Sequence, residues 1–141
     1  MILKRAVRKM IGRFVGKYGY KLVYARPRKG MSSSERVVYR AFCQGKPFYC
    51  FKDSIVGEYM LTGQGWDPLM HKFIGDSVRV CEGGVVIEVG ANVGASLIPV
   101  CSEFPNTTFH MIEPIPQFFE LLKKNKESFN ASNALLYNVA V

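Results

Sequence analysis

Ten residues, Val85-Val86-Ile87-Glu88-Val89-Gly90-Ala91-Asn92-Val93-Gly94, restrict the fold of this chain more than any other stretch of it. A run of strand character ends in a glycine turn, and a second apolar run follows from Ala95. A strand that passes through such a turn into a helix is the repeating step of an open α/β sheet. Nucleotide-like molecules bind at the carboxyl ends of these strands, beside the helix N-terminus.

Two spacings narrow the ligand. The dinucleotide fingerprint requires G-x-G-x-x-G/A, where the second glycine lets the backbone approach a pyrophosphate. Here Asn92 occupies that second position and Gly94 comes one place early. Glu88, two residues before Gly90, would repel a pyrophosphate but suits the cationic amino-acid end of S-adenosylmethionine. Both features argue against NAD. The second handle is Glu113, which directly follows the strand-like Thr108–Ile112 and lies nineteen residues beyond Gly94. A carboxylate there can accept hydrogen bonds from both ribose hydroxyls of a nucleoside. Its alternative is a carboxylate leading into a helix before Pro114, where the dipole favours negative charge.

From residue 80 onward the pattern alternates. Strands are predicted at Val85–Val89, Thr108–Ile112 and Leu135–Val139, with helices over about Ala95–Glu103 and Pro116–Lys124. Phe118, Phe119, Leu121 and Leu122 form the buried side of the second helix, and Lys123, Lys124 and Lys126 sit near its C-terminal end. Alternation of this kind implies parallel pairing. Pro99 conflicts with the first helix, because an interior proline costs about 3 kcal/mol. Either that helix starts later or it is kinked. Upstream, short strands are expected at Val37–Cys43 and Phe48–Phe51 around a Gln44–Pro47 turn. A short helix from Pro68 to Ile74 is expected to be capped by Asp67.

The formal charge of +8 is unevenly placed: residues 1–30 hold ten Lys or Arg and no acid, and the other 111 residues carry nine bases against eleven acids. The basic character therefore belongs to the N-terminal arm, not to the fold. In that arm Ile2, Leu3, Ala6, Val7, Met10, Ile11, Phe14 and Val15 form one helical face and Lys4, Arg5, Arg8, Lys9, Arg13 and Lys17 the other. Such a helix packs on its own domain or lies on an anionic membrane surface. Residues 26–36 read as a linker. Aromatics in the arm are scattered, which weighs against nucleic acid as partner. No run reaches the roughly 18–20 apolar residues of a membrane span, and basic residues interrupt any signal-peptide core. Cys43, Cys50, Cys81 and Cys101 form no CxxC pair and have no histidines at metal-ligand spacing. These features point to a reduced, cytoplasmic protein without a metal site, peripheral to the inner membrane face if residues 1–24 attach there. The sequons at Asn106 and Asn130 are then chance matches.

Val86–Gly94, Ile112-Glu113-Pro114 and the Leu-Leu-Lys-Lys-Asn run at 121–125 together resemble the FkbM family of methyltransferases. Gly57-Glu58 and the Gly63–Asp67 segment are similar to that family's lead-in, with Asp67 where Glu is usual. The resemblance covers roughly residues 55–141 and leaves residues 1–50 unaccounted for. It implies a Rossmann-like class I methyltransferase sheet, S-adenosylmethionine as methyl donor, and O-methylation of a sugar or small molecule. By position Glu88, Gly90, Asn92 and Gly94 would frame the methionine end of the cofactor and Glu113 the ribose, with Asn138 and Ala140 approaching the adenine.

The expected organisation is a basic helix and linker over 1–36, a small α+β lead-in over 37–80, and the N-terminal half of a cofactor-binding α/β domain over 81–141. In the class I strand order this half stops after the third strand, so the edge of Val85–Val89 stays unpaired and one flank of the sheet is bare. That edge favours self-association, and the expectation is a fragment, a truncated frame or a partner-dependent half. No catalytic base is assigned: His110, within the second strand, reads as a packed core residue and His71 as a helix-surface residue. The alternative function is a non-catalytic module acting through its basic helix at a membrane surface or a partner protein.

Overall fold

The computed structural model describes residues 36–61, 66–81 and 83–140, all within one compact unit, Ser33–Val141. The basic amphipathic helix, most of the linker and most of the Gly63–Asp67 segment lie outside the described residues.

The unit opens with an antiparallel hairpin, β1 (Val38–Cys43) and β2 (Lys46–Phe51). Its turn is two residues long, Gln44 and Gly45, both left-handed at φ 52° and 75°. That geometry matches the twist of the strands it joins. The predicted four-residue turn is therefore shortened, and Lys46 and Pro47 join β2, where Pro47 pairs with Phe42 at a sheet edge. Helix α1 (Ile55–Leu61) was not foreseen. Ser54 caps it: its hydroxyl accepts from Gly57 N at 2.9 Å and donates to Phe51 O at 2.7 Å. Gly57 is required for contact, because a Cβ there would lie 2.0 Å from Phe51 O.

Helix α2 (Pro68–Val80) starts as expected, with Asp67 Oδ1 accepting from Met70 N at 3.0 Å. It runs six residues past the predicted end because Gly75 packs against the Phe104 ring. β3 (Val85–Val89) and β4 (Thr108–Ile112) fall where the sequence places them. Between them α3 is only Ile98–Cys101. The helix starts late instead of kinking, and Pro99 sits in its first turn, where the missing N–H has no partner to lose. α4 (Pro116–Phe129) extends a further turn beyond Lys124, to a left-handed Asn130 whose N–H caps Lys126 O and Glu127 O. β5 is Ala134–Tyr137, earlier than predicted. Asn133 stops the chain just ahead of it, donating from Nδ2 to the carbonyls of Cys101, Phe104 and Thr107.

β3, β4 and β5 form a parallel sheet in that order. Phe109, Met111 and Ala134 point to one face and share a core with Ile98, Val100, Leu122 and Phe129 of the helices. The hairpin joins this core through Phe48, whose ring stands edge-on to Phe129 at 6.1 Å. The opposite face is open among the described residues. Val85, Ile87 and Val89 are 64, 65 and 64% exposed, and Leu135 and Tyr137 continue the apolar strip. Among the described residues β3 pairs only with β4, which leaves its outer edge without a strand partner there. His110 lies on this open face, half-buried, with its ring stacked on Tyr137 and Nδ1 2.9 Å from the Tyr137 hydroxyl. It is not the packed core residue expected, because that face of the sheet has no core.

All-parallel sheets usually have both faces covered, so the strip left open among the described residues is the expected seat of any self-association. Ile87→Lys should lower concentration-dependent light scattering while changing stability by no more than about 0.5 kcal/mol. Unchanged scattering would place association elsewhere.

Candidate functional site

Val89 ends β3, and the backbone must leave the sheet at once. It does so through three left-handed residues in five positions: Gly90 (φ 82°), Asn92 (φ 54°) and Gly94 (φ 82°). Gly90 N and Ala91 N both donate to Ile112 O, at 2.8 and 3.0 Å, which ties the turn to the end of β4. The two glycines serve different ends. A Cβ at Gly94 would lie 2.5 Å from Ile98 Cγ1 and 2.6 Å from Leu122 Cδ1, so Gly94 lets helices pack against the turn. A Cβ at Gly90 would meet nothing within 4 Å.

Gly90 faces a cavity of about 330 Å³. Gly90, Asn92 and Ser96 contribute to one wall, and Ser54, Ile55 and Trp66 to the other. Trp66 is half-buried and held edge-on by Tyr59, with ring centroids 5.7 Å apart. The structure thus brings Gly90 and Asn92 to the cavity surface and keeps Gly94 buried behind them.

Glu88 lies on the covered face of β3, and its carboxyl group hydrogen-bonds Ser96, a residue of the cavity wall. Its Oε2 is buried with no hydrogen-bond partner among the described residues. Burial raises the Glu88 pKa to about 7, with Ser96 offsetting part of the effect. The neighbouring Cys101 thiol is pushed up to about 12, mainly by burial and further by the Glu88 charge.

Glu113 is 4% exposed, and each of its oxygens accepts one backbone N–H. Oε2 takes Asn92 N at 2.8 Å and Oε1 takes Ile115 N at 2.8 Å. It therefore joins the turn to the start of α4. Asn138, exposed just after β5, donates to Glu113 O at 2.7 Å, while Ala140 is exposed and further along. His71 is not a simple surface residue: it is half-buried, and Nε2 donates to Ala95 O at 2.8 Å. Asn92 Oδ1 accepts from Val93 N, which fixes the left-handed conformation locally.

Ser54, Ile55, Trp66 and Ser96 were missed from the sequence. The first three come from elements distant along the chain, and only α1, itself unpredicted, brings Ser54 and Ile55 across. Ser96 could have been found as the first hydroxyl after Gly94 on the same turn.

Comparison with known proteins finds no matching family model and no matching curated protein. Solved structures share part of the backbone arrangement. Coclaurine N-methyltransferase, bound to N-methylheliamine and S-adenosylhomocysteine in its own structure, aligns over 52% of this chain and 21% of that one, at 16% identity and a TM-score of 0.46. Precorrin-6y C5,15-methyltransferase from Geobacter metallireducens aligns over 49% and 36%, at 22% identity and 0.44. A transferase described as putative, PH0793 from Pyrococcus horikoshii, aligns over 86% and 40%, at 17% identity and 0.44. The chain spans well under half the length of each. Among the described residues no helix is long and apolar enough to cross a membrane.

Two measurements probe the turn. Gly94→Ala combines a left-handed backbone with a clash, and should cost about 2–5 kcal/mol in chemical denaturation; a loss under 1 kcal/mol would mean the turn relaxes freely. Glu88 binds its proton more tightly when folded than when unfolded, so its contribution is full below about pH 4.5 and is lost as pH rises to about 7. That loss amounts to at most about 3 kcal/mol. Glu88→Gln should flatten the stability profile across this window, and an unchanged slope would mean Glu88 ionises freely.

Proposed function

We propose that this chain carries the cofactor-binding half of an S-adenosylmethionine-dependent methyltransferase of the FkbM type, on a Rossmann-like class I sheet, with a sugar or small-molecule oxygen as acceptor. The observation that carries the reading is a buried Glu88 oxygen with no partner among the described residues, on a carboxyl group bonded to Ser96 in the wall of the cavity that Gly90 and Asn92 also line. A buried carboxylate oxygen left unpaired is costly, and a ligand cation beside it offsets that cost. S-adenosylmethionine has an ammonium group at its amino-acid end and supplies an electrophilic methyl group on a sulfonium.

The residues fit such a ligand. Gly90 leaves room where any side chain would enter the cavity. Ser96 links the wall to Glu88, so charge on the ligand is felt by the carboxyl group. Trp66 offers an aromatic surface, which attracts cations through its quadrupole. Glu113 does not line the cavity; buried behind it, it contributes by holding the N–H of Asn92, which does. Methyl transfer relies largely on aligning two reactants, and the chain's part in it is to orient and enclose the donor. No group of the chain is assigned as general base.

Calorimetric titration with S-adenosylmethionine tests this. Saturable binding should strengthen by up to about tenfold between pH 5.5 and 7 as Glu88 ionises, and the pH effect should vanish in Glu88→Gln. A folded chain that binds neither S-adenosylmethionine nor S-adenosylhomocysteine would overturn the reading.

A further inference from the structure

Asn125 is fully buried in the middle of α4, a position where a polar side chain must have partners or destabilise the fold. Its partners come from two separate places. Oδ1 accepts from Tyr49 N at 2.7 Å, and Nδ2 donates to Tyr49 O at 2.8 Å, so the amide pairs with β2 as another strand would. The second Nδ2 hydrogen reaches Val93 O at 2.8 Å, between Asn92 and Gly94. One side chain therefore clamps the hairpin to the turn that lines the cavity.

We propose that Asn125 is a positioning residue for the candidate cofactor site, and that through it the β1–β2 hairpin helps set the geometry of the Gly90–Gly94 turn. The hairpin gains a role that its sequence does not reveal, since it contributes no residue to the cavity wall. Three observations support the assignment. The contacts use both hydrogens of the amide nitrogen and the oxygen, which no other side chain of similar size can reproduce. The hairpin is anchored to the same stretch of α4 twice more, by Lys46 Nζ on Phe129 O at 3.3 Å and by Ser128 Oγ on Pro47 O at 2.5 Å. Those two anchors do not touch the turn, so the Val93 link is specific to Asn125. The turn also has little room to adapt, with Gly94 wedged between Ile98 and Leu122. A displaced Val93 carbonyl would move Asn92, whose N–H is held by Glu113.

The role assigned to the cavity rests on the proposed function, but the clamp does not, and the test separates them. Native-state hydrogen exchange on the wild-type chain reads the clamp directly. The amides of Tyr49, Asn92 and Gly94 should open in one event with the same denaturant dependence; Tyr49 opening alone, with the turn still protected, would overturn the proposal. Two variants then separate positioning from general stability. Asn125→Asp removes the donors to Tyr49 O and Val93 O, whereas Phe48→Leu loosens the hairpin against Phe129 without touching Val93. Compared at temperatures of equal residual stability, Asn125→Asp should weaken S-adenosylhomocysteine binding roughly tenfold, the scale of one lost buried hydrogen bond. Phe48→Leu should leave it within about twofold of wild type, and equal loss in both variants would contradict a positioning role. If wild-type chain binds no S-adenosylhomocysteine, the functional reading falls, and the exchange pattern alone decides the clamp.

Discussion

The backbone between Gly90 and Ser96 pairs Gly94 N with Ala91 O but relies on partners outside the turn for most of its other polar groups, and the architecture around the cavity follows from how they are held. Three left-handed residues in five prevent the turn from joining either a sheet ladder or a helix. Side chains from outside supply partners instead: Glu113 takes Asn92 N, Asn125 takes Val93 O, and His71 takes Ala95 O. They come from the loop after β4, from α4 and from α2, so three elements must be placed before the turn has a defined shape. Buried hydrogen bonds of this kind add modest net stability, but leaving one unmade costs about 1–3 kcal/mol. That asymmetry makes the turn rigid, and a rigid cradle binds ligand without an ordering penalty.

A second constraint acts on the other side of the sheet. The residues that cover β3–β5 on one face are a closed core of helix and hairpin side chains, whereas Val85, Ile87, Val89, Leu135 and Tyr137 face outward. The strands therefore read as doubly apolar, the mark of a parallel sheet buried on both faces. Glu88 is the exception on β3, and its side chain is on the covered face. The Glu88 oxygen that lacks a partner among the described residues thus lies on the side of Ser96 and the cavity wall and not on the open strip. Ligand chemistry and surface exposure are separated by the thickness of one sheet.

How much of this was legible depends on the range of the determining contacts. β3 and β4 were legible because a β-branched run ending at Gly90 and a short apolar run ending before Pro114 specify themselves locally. Pro99 left α3 either a late start or a kink, and the helix takes the late start, with Pro99 in its first turn. The ends of α2 and α4 were not legible, since Gly75 and Asn125 look like helix breakers until Phe104 and Tyr49 are beside them. Lys46 and Pro47 joined β2 because left-handed Gln44 and Gly45 close the hairpin in two residues, a choice that the Gly45 position alone does not decide. Within the site, Gly90 and Asn92 were found from the motif itself. Glu113, singled out for a ribose, does not line the cavity, and its bonds to Asn92 N and Ile115 N are tertiary and invisible in spacing. Trp66 and Ser54 reach the cavity only through folding of the lead-in.

In the function we propose, the Gly90–Ser96 turn and Trp66 enclose a site for S-adenosylmethionine. Amide and indole shifts of the isotopically labelled chain, followed during titration with that ligand, test it most directly. Saturable shifts centred on Gly90, Asn92, Ser96 and the Trp66 indole N–H are the predicted result. Shifts confined to the open strip around Ile87 and Tyr137, or none at all from a folded chain, would contradict it.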